Sequence, residues 1–161
     1  MIKGYKCFNE NFTNNYGFKF EIGAKYSVKD RDIQFGLNGN GFHMCKNMEE
    51  TFIYFDAMNN NVIVCEVIGY GNFQTLDDEY KGYQDMYSVE KIEIVRQLSR
   101  EEIVNYGINL IEFRLMHFLQ NFKLTKEEIL LFEQKFINNS LVLNCIEYYQ
   151  KDNKKVYMLK K

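Results

Sequence analysis

The sequence predicts an α+β domain: a mostly antiparallel sheet with one short helix in the N-terminal two-thirds, packed with a helical C-terminal third. Three observations carry this. Short apolar or alternating runs punctuated by Asn and Gly fill residues 1–98, two Ser/Thr-x-x-Glu capping boxes begin at Ser99 and Thr125, and the apolar stripes beyond Ser99 have helical spacing. A single domain over residues 1–161 is expected, mainly β over 1–98 and mainly helical over 99–161.

Taken in order, Ile2 to Phe8 alternates weakly and predicts the first strand. Phe18-Lys19-Phe20 and Lys25-Tyr26-Ser27-Val28 flank Glu21-Ile22-Gly23-Ala24, which reads as a hairpin. Asn38-Gly39-Asn40-Gly41 is the strongest turn signal, because Asn and Gly tolerate positive φ. A short strand, Gly41-Phe42-His43-Met44-Cys45, leads to a helix start at Asn47. There Asn47 can cap while Glu50 reaches back, leaving backbone N–H groups free to meet an anion. Met48, Phe52 and Phe55 continue at helical spacing until Asn59-Asn60-Asn61. Val62 to Ile68 is apolar on nearly every residue, which predicts a central strand closed by Gly69-Tyr70-Gly71. An acidic loop over 76–85 precedes a half-exposed strand over Val89–Val95.

Beyond Ser99, Ile103, Leu110, Ile111, Leu115, Phe118, Leu119 and Phe122 form one stripe, with Gly107 placed to bend or interrupt the helix. Ile129, Leu130, Phe136 and Ile137 predict one side of a second helix. Leu141, Val142, Cys145, Ile146 and Tyr149 fit a third helix, with a strand as the alternative, and Val156 to Leu159 reads as a last edge strand.

Composition bounds the function classes. A net charge of −2 and a pI near 5.8 leave no global basic field, which argues against nucleic acid as a direct ligand. No apolar run approaches a membrane span and the N-terminus lacks the apolar core of a signal peptide, so a cytoplasmic protein with no membrane association is expected. Cys7, Cys45, Cys65 and Cys145 are widely spaced without a C-x-x-C pair and read as buried, reduced thiols rather than a disulfide or zinc framework; no metal is expected.

Candidate chemistry is sparse. His43, one of two histidines, can orient an anion or shuttle a proton; structurally it is a half-buried ring bonded to backbone. His117 sits in the helical stripe and reads as a flank of the core. Asp77, Asp78, Glu79 and Asp85, interleaved with Tyr80 and Tyr83 and followed by Tyr87, read either as a solvated acidic turn or as a recognition loop whose three tyrosines dock on a partner.

Lys3-Gly4-Tyr5-Lys6-Cys7-Phe8, Gly17-Phe18-Lys19-Phe20-Glu21-Ile22-Gly23 with Tyr26, and Gly41-Phe42-His43-Met44-Cys45 together resemble an uncharacterised family of small bacterial and phage-encoded domains. Val64-Cys65-Glu66-Val67 and Lys91-Ile92-Glu93-Ile94-Val95 extend the resemblance over about the first 98 residues. It implies a phage or mobile-element setting and no established activity. The order of Tyr5-Lys6, Gly41-Phe42-His43-Met44, Tyr54 and Glu79 also resembles ADP-ribosyltransferase-type NAD-binding domains. That resemblance implies NAD as cofactor, His43 packed on the nicotinamide, and Glu79 stabilising the ribosyl cation; Lys6 and His43 depart from its usual residues.

The resulting expectation is a non-catalytic binding or inhibitor module acting on a host protein, such as a nucleic-acid-handling protein, with no cofactor. Its binding residues are Tyr5, Lys6, Tyr54, Asp77, Asp78, Tyr80, Tyr83 and Asp85. The alternative is an ADP-ribosyltransferase-like enzyme using His43 and Glu79.

Overall fold

The computed structural model describes residues 1–28, 34–36, 39–78 and 83–151, with the backbone alone described at 76–78 and 83–85. Among them are five strands, β1 (Ile2–Asn9), β2 (Lys25–Ser27), β3 (Phe42–Cys45), β4 (Val62–Asp78) and β5 (Tyr83–Gln97), paired antiparallel throughout. The hydrogen-bonded ladder closes on itself. β4 pairs with β1 and β5, β5 pairs with β3, and the Tyr5–Cys45 pair joins β3 back to β1. β2 is added along β5.

Strand alternation gives this circuit two surfaces. Phe8 of β1, Met44 of β3, Cys65 and Val67 of β4, and Val89, Ile92 and Ile94 of β5 fill its inside together with Phe20. Cys7 and Val64, directly opposite one another on β1 and β4, face the other way into a second core built with the helices. Gly4 makes the closure possible: a Cβ there would collide with the Cys45 carbonyl oxygen.

The helical third comprises α2 (Arg100–Ile108), α3 (Glu112–Asn121), α4 (Lys126–Lys135) and α5 (Ser140–Ile146), then a wide turn over Glu147–Lys151. Both capping boxes are present, at Ser99 and at Thr125. The third apolar run is therefore helical, and the strand alternative falls. Val156–Leu159 lies outside the described residues.

Several local expectations are corrected. Phe18–Phe20 does not pair with β2; Lys19 bridges to Thr13, while β2 joins β5 because that edge offers a free ladder. Gly69-Tyr70-Gly71 does not end β4, which runs on through irregular register to Asp78, and so the acidic segment is not simply a loop. Gly107 is not the hinge between α2 and α3. The break falls at Asn109–Ile111, and Gly107 is instead buried where a Cβ would lie 2.5 Å from the Phe118 ring. Ile111, at the start of α3, is 70% exposed rather than core, as are Leu130 at 56% and Ile137 at 69%. On α4 the buried residues are Ile129 and Phe132. Among the described residues no helix is long and apolar enough to cross a membrane.

Candidate functional site

A cavity of about 750 Å³ opens beside β1 and β3, bounded also by the segment around Asn14–Phe20 and the turn after α1 (Met48–Thr51). Seven of its lining residues are aromatic, Tyr16, Phe18, Phe42, Tyr54 and Phe55 among them, beside polar and small residues, and its volume lies in the range of small-ligand sites. Tyr5, Lys6, His43 and Tyr54, four of the residues singled out in the sequence, all line it. Their meeting follows from the topology: closure of β1 onto β3 sets Tyr5 and Lys6 beside His43, and the short helix that follows returns Tyr54 to the same side.

Lys6 lies on the inward row of β1, between Gly4 and Phe8, where alternation places apolar residues. It is half-buried, and its Nζ lies 5.8 Å from the centres of both the Phe8 and Phe20 rings. The amine donates a hydrogen bond of 2.6 Å to the His43 carbonyl oxygen. Burial pulls its pKa down to about 8, against a smaller opposing pull from Cys45 and Cys7.

His43 uses Nε2 at 2.9 Å from the Gly36 carbonyl oxygen, which fixes that nitrogen as the donor. Burial lowers its pKa below the ordinary value, with the Gly36 bond opposing, so the ring is neutral near pH 7. Cys7 shares a 2.9 Å hydrogen bond with Thr51 Oγ1, and burial raises its thiol to about 12. Burial raises Cys45 as well. These sulfurs are held protonated, unlike a nucleophilic cysteine. Among the described residues no three His, Cys, Asp or Glu side chains stand together as a metal site.

The helix start at Asn47 is not the anion site the sequence predicts. Asn47 makes no side-chain cap; its amide donates to Glu50 Oε1 at 3.1 Å, and the Met48 N–H donates to Tyr106 Oη at 3.1 Å. α1 has only four residues.

The hairpin of β4 and β5 runs past the cavity. Met86, which lines it, pairs with both Cys45 and Leu76. Asp77, Asp78, Tyr83 and Asp85 therefore follow within three residues of that position on the two strands, with Asp78 opposite Tyr83. Glu79 and Tyr80 lie outside the described residues.

One cluster escaped the sequence reading. Glu49, only 2% exposed, accepts from the Arg114 guanidinium and from Tyr106 Oη at 2.6 Å; Arg114 Nη2 also donates to Tyr106 Oη at 2.8 Å. Tyr106 in turn packs its ring 5.9 Å from that of Tyr5. The signal available was positional: Glu49 lies three residues before the buried Phe52, and Arg114 four before the buried Phe118, so both face the core.

Taken together, the fold and cavity define a small closed antiparallel sheet, backed by helices, with a ring-lined pocket at the closure. Residues 2–106 match the model of a domain of unknown function, DUF7666, and the chain belongs to that family. No curated protein and no solved structure matches the chain.

Proposed function

We propose that the domain is a non-catalytic binding module, acting in the cytoplasm as an inhibitor of a host protein and carried by a phage or mobile element. The observation that carries the binding reading is the ring-lined cavity on which Tyr5, Lys6, His43 and Tyr54 converge. Aromatic walls suit an inserted apolar or aromatic group of the partner, and burial of such a group in a pocket is where interface energy concentrates. The groups around the cavity favour binding over turnover, since His43 hydrogen-bonds a backbone carbonyl and the neighbouring thiols are protonated. The adjoining β4–β5 hairpin carries Asp77, Asp78, Tyr83 and Asp85 in its sequence, an acidic and aromatic composition suited to a basic surface such as that of a nucleic-acid-handling protein.

The test is affinity capture from host lysate with the wild type, with Phe18→Asp, and with Asp77, Asp78 and Asp85 reversed to Lys. Phe18 is 48% exposed at the cavity, so a charge there spoils the pocket without entering the core. Loss of the same partner in both variants, with circular dichroism unchanged, is expected. Capture indifferent to both changes overturns the reading.

A second reading has one observation in its favour. The residues that an ADP-ribosyltransferase-like site would use on β1, β3 and the following helix do share this cavity. It requires NAD as cofactor and Glu79 as the acid, and it predicts NAD consumption lost in Glu79→Gln and His43→Ala. A wild type that neither binds nor consumes NAD excludes it.

A further inference from the structure

We propose that Lys6 is a reactive amine and that the cavity takes aromatic carbonyl compounds, which Lys6 captures as an imine. The inference rests on the cavity being a ligand site, and it adds a chemical class and an attacking atom. Lys6 is half-buried on the inward row of β1, at the wall of the cavity, with the Phe8 and Phe20 ring centres each 5.8 Å from its amine. Among the described residues its acceptor is a backbone carbonyl and not a carboxylate, so no ion pair holds it in the charged form. A neutral amine keeps the bond to the His43 oxygen through one N–H while its lone pair is left for a carbonyl carbon.

The charged and titratable groups that face it are few. His43 on β3 is neutral and bonded to Gly36, while Cys45 on β3, Cys7 on β1 and Cys65, directly opposite Lys6 on β4, are protonated thiols. With Lys6 at about 8, roughly a quarter of the amine is unprotonated at pH 7.5, against about one part in a thousand for an ordinary lysine. Desolvation in an apolar pocket is a recognised route to a nucleophilic lysine.

The step balances without an oxidant. The Lys6 nitrogen attacks the aldehyde carbon and forms a C–N bond, and a proton passes from nitrogen to oxygen through solvent water. The carbinolamine's remaining N–H proton then passes through solvent to the hydroxyl, the C–O bond breaks, and water leaves as the C=N bond of the imine forms.

The experiment uses the full chain with 4-hydroxybenzaldehyde and cyanoborohydride, which delivers hydride to the imine and fixes it as a secondary amine. Peptide mapping then locates the adduct. In parallel, 4-hydroxybenzyl alcohol, which cannot form an imine, is titrated while the Met44 and Met86 methyl signals are followed, since both side chains line the cavity. The expected result is labelling of Lys6 on the order of tenfold faster than of any other lysine. That fast labelling should rise with pH through about 8 and be absent in Lys6→Arg with its circular dichroism unchanged, the alcohol being titrated against the wild type. Binding of the alcohol with labelling scattered over surface lysines overturns the reactive amine and leaves the binding site standing. No methyl shift and no selective labelling overturns both.

Discussion

Lys6 carries a linkage opposite in sign to that of its β1 neighbour Cys7. Its pKa falls from 10.5 in the ordinary state to about 8 in the fold, so between those values the unfolded chain holds a proton that the native chain has lost. Stability contributed at this position therefore rises as pH climbs from about 8 to about 10.5, and the penalty of the buried charge is in full force below about 8. The raised thiols, Cys7 and Cys65 at about 12, act in the opposite sense, losing stability as pH climbs from 9.0 to about 12. Lys6→Met isolates the lysine contribution. The variant is expected to be more stable than the wild type at pH 7, and its advantage should shrink by pH 10, read from urea midpoints at both values. A difference independent of pH contradicts the assignment. His43 and His117, both depressed by burial, add a loss of stability as pH falls through 6.5 and below, because the unfolded chain takes up protons first. At this scale the sequence was partly legible. Tyr5, Lys6, His43 and Tyr54 stood out as residues, but their company did not, because the Tyr5–Cys45 pair that gathers them is a long-range contact with no local signature.

Elements were legible where local chemistry decides them. Ser99 and Thr125 start their helices as the capping boxes require, each accepting from the backbone N–H three residues on. Ser99→Ala and Thr125→Ala should each lower stability by about 1 kcal/mol in urea unfolding. Legibility failed where tertiary contact decides. Gly107 looks like a helix breaker in the sequence, yet it lies within α2 and serves the approach of the Phe118 ring. Gly107→Ala tests this. Helix propensity alone predicts a gain of roughly 1 kcal/mol, whereas overpacking against Phe118 predicts a loss of about 1–3 kcal/mol. A loss is expected, because the ring is fully buried between neighbours and has no free direction in which to yield. The wide turn over Glu147–Lys151 is a further case. Gln150 inserts its amide between α3 and the following segment, donating to Phe122 O at 2.9 Å and to Leu119 O, and accepting from Leu124 N at 3.0 Å. Nothing near Gln150 in the sequence announces partners some thirty residues away.

At the scale of the whole molecule, the family match ends at residue 106 while the packing does not. The core that contains Cys7, Phe52 and Val64 is completed by Leu115, Phe118, Leu119, Phe132, Val142 and Ile146, all beyond that boundary. The Glu49–Tyr106–Arg114 cluster crosses the boundary as well, tying α1 to α2 and α3 through a nearly buried carboxylate. Removing α3–α5 would leave the outer surface of β1 and β4 and the ring of Phe52 facing water, and would strand Glu49 without its guanidinium. A fragment of residues 1–106 is therefore expected to lose fixed tertiary structure, with collapsed amide dispersion in its NMR spectrum and binding of a hydrophobic dye. Arg114→Met separates the two causes. It keeps the apolar packing and removes only the charge partner; with Arg114 34% exposed and Tyr106 still donating to Glu49, a loss of about 1–3 kcal/mol is expected. Adding Glu49→Gln to Arg114→Met removes the uncompensated charge and should recover much of that loss. If the double variant is no more stable than Arg114→Met alone, the cluster matters through packing and not through its charges. If the 1–106 fragment folds with native dispersion, the helical third is an addition to a self-sufficient sheet, and the cavity at the β1–β3 closure stands independently of it.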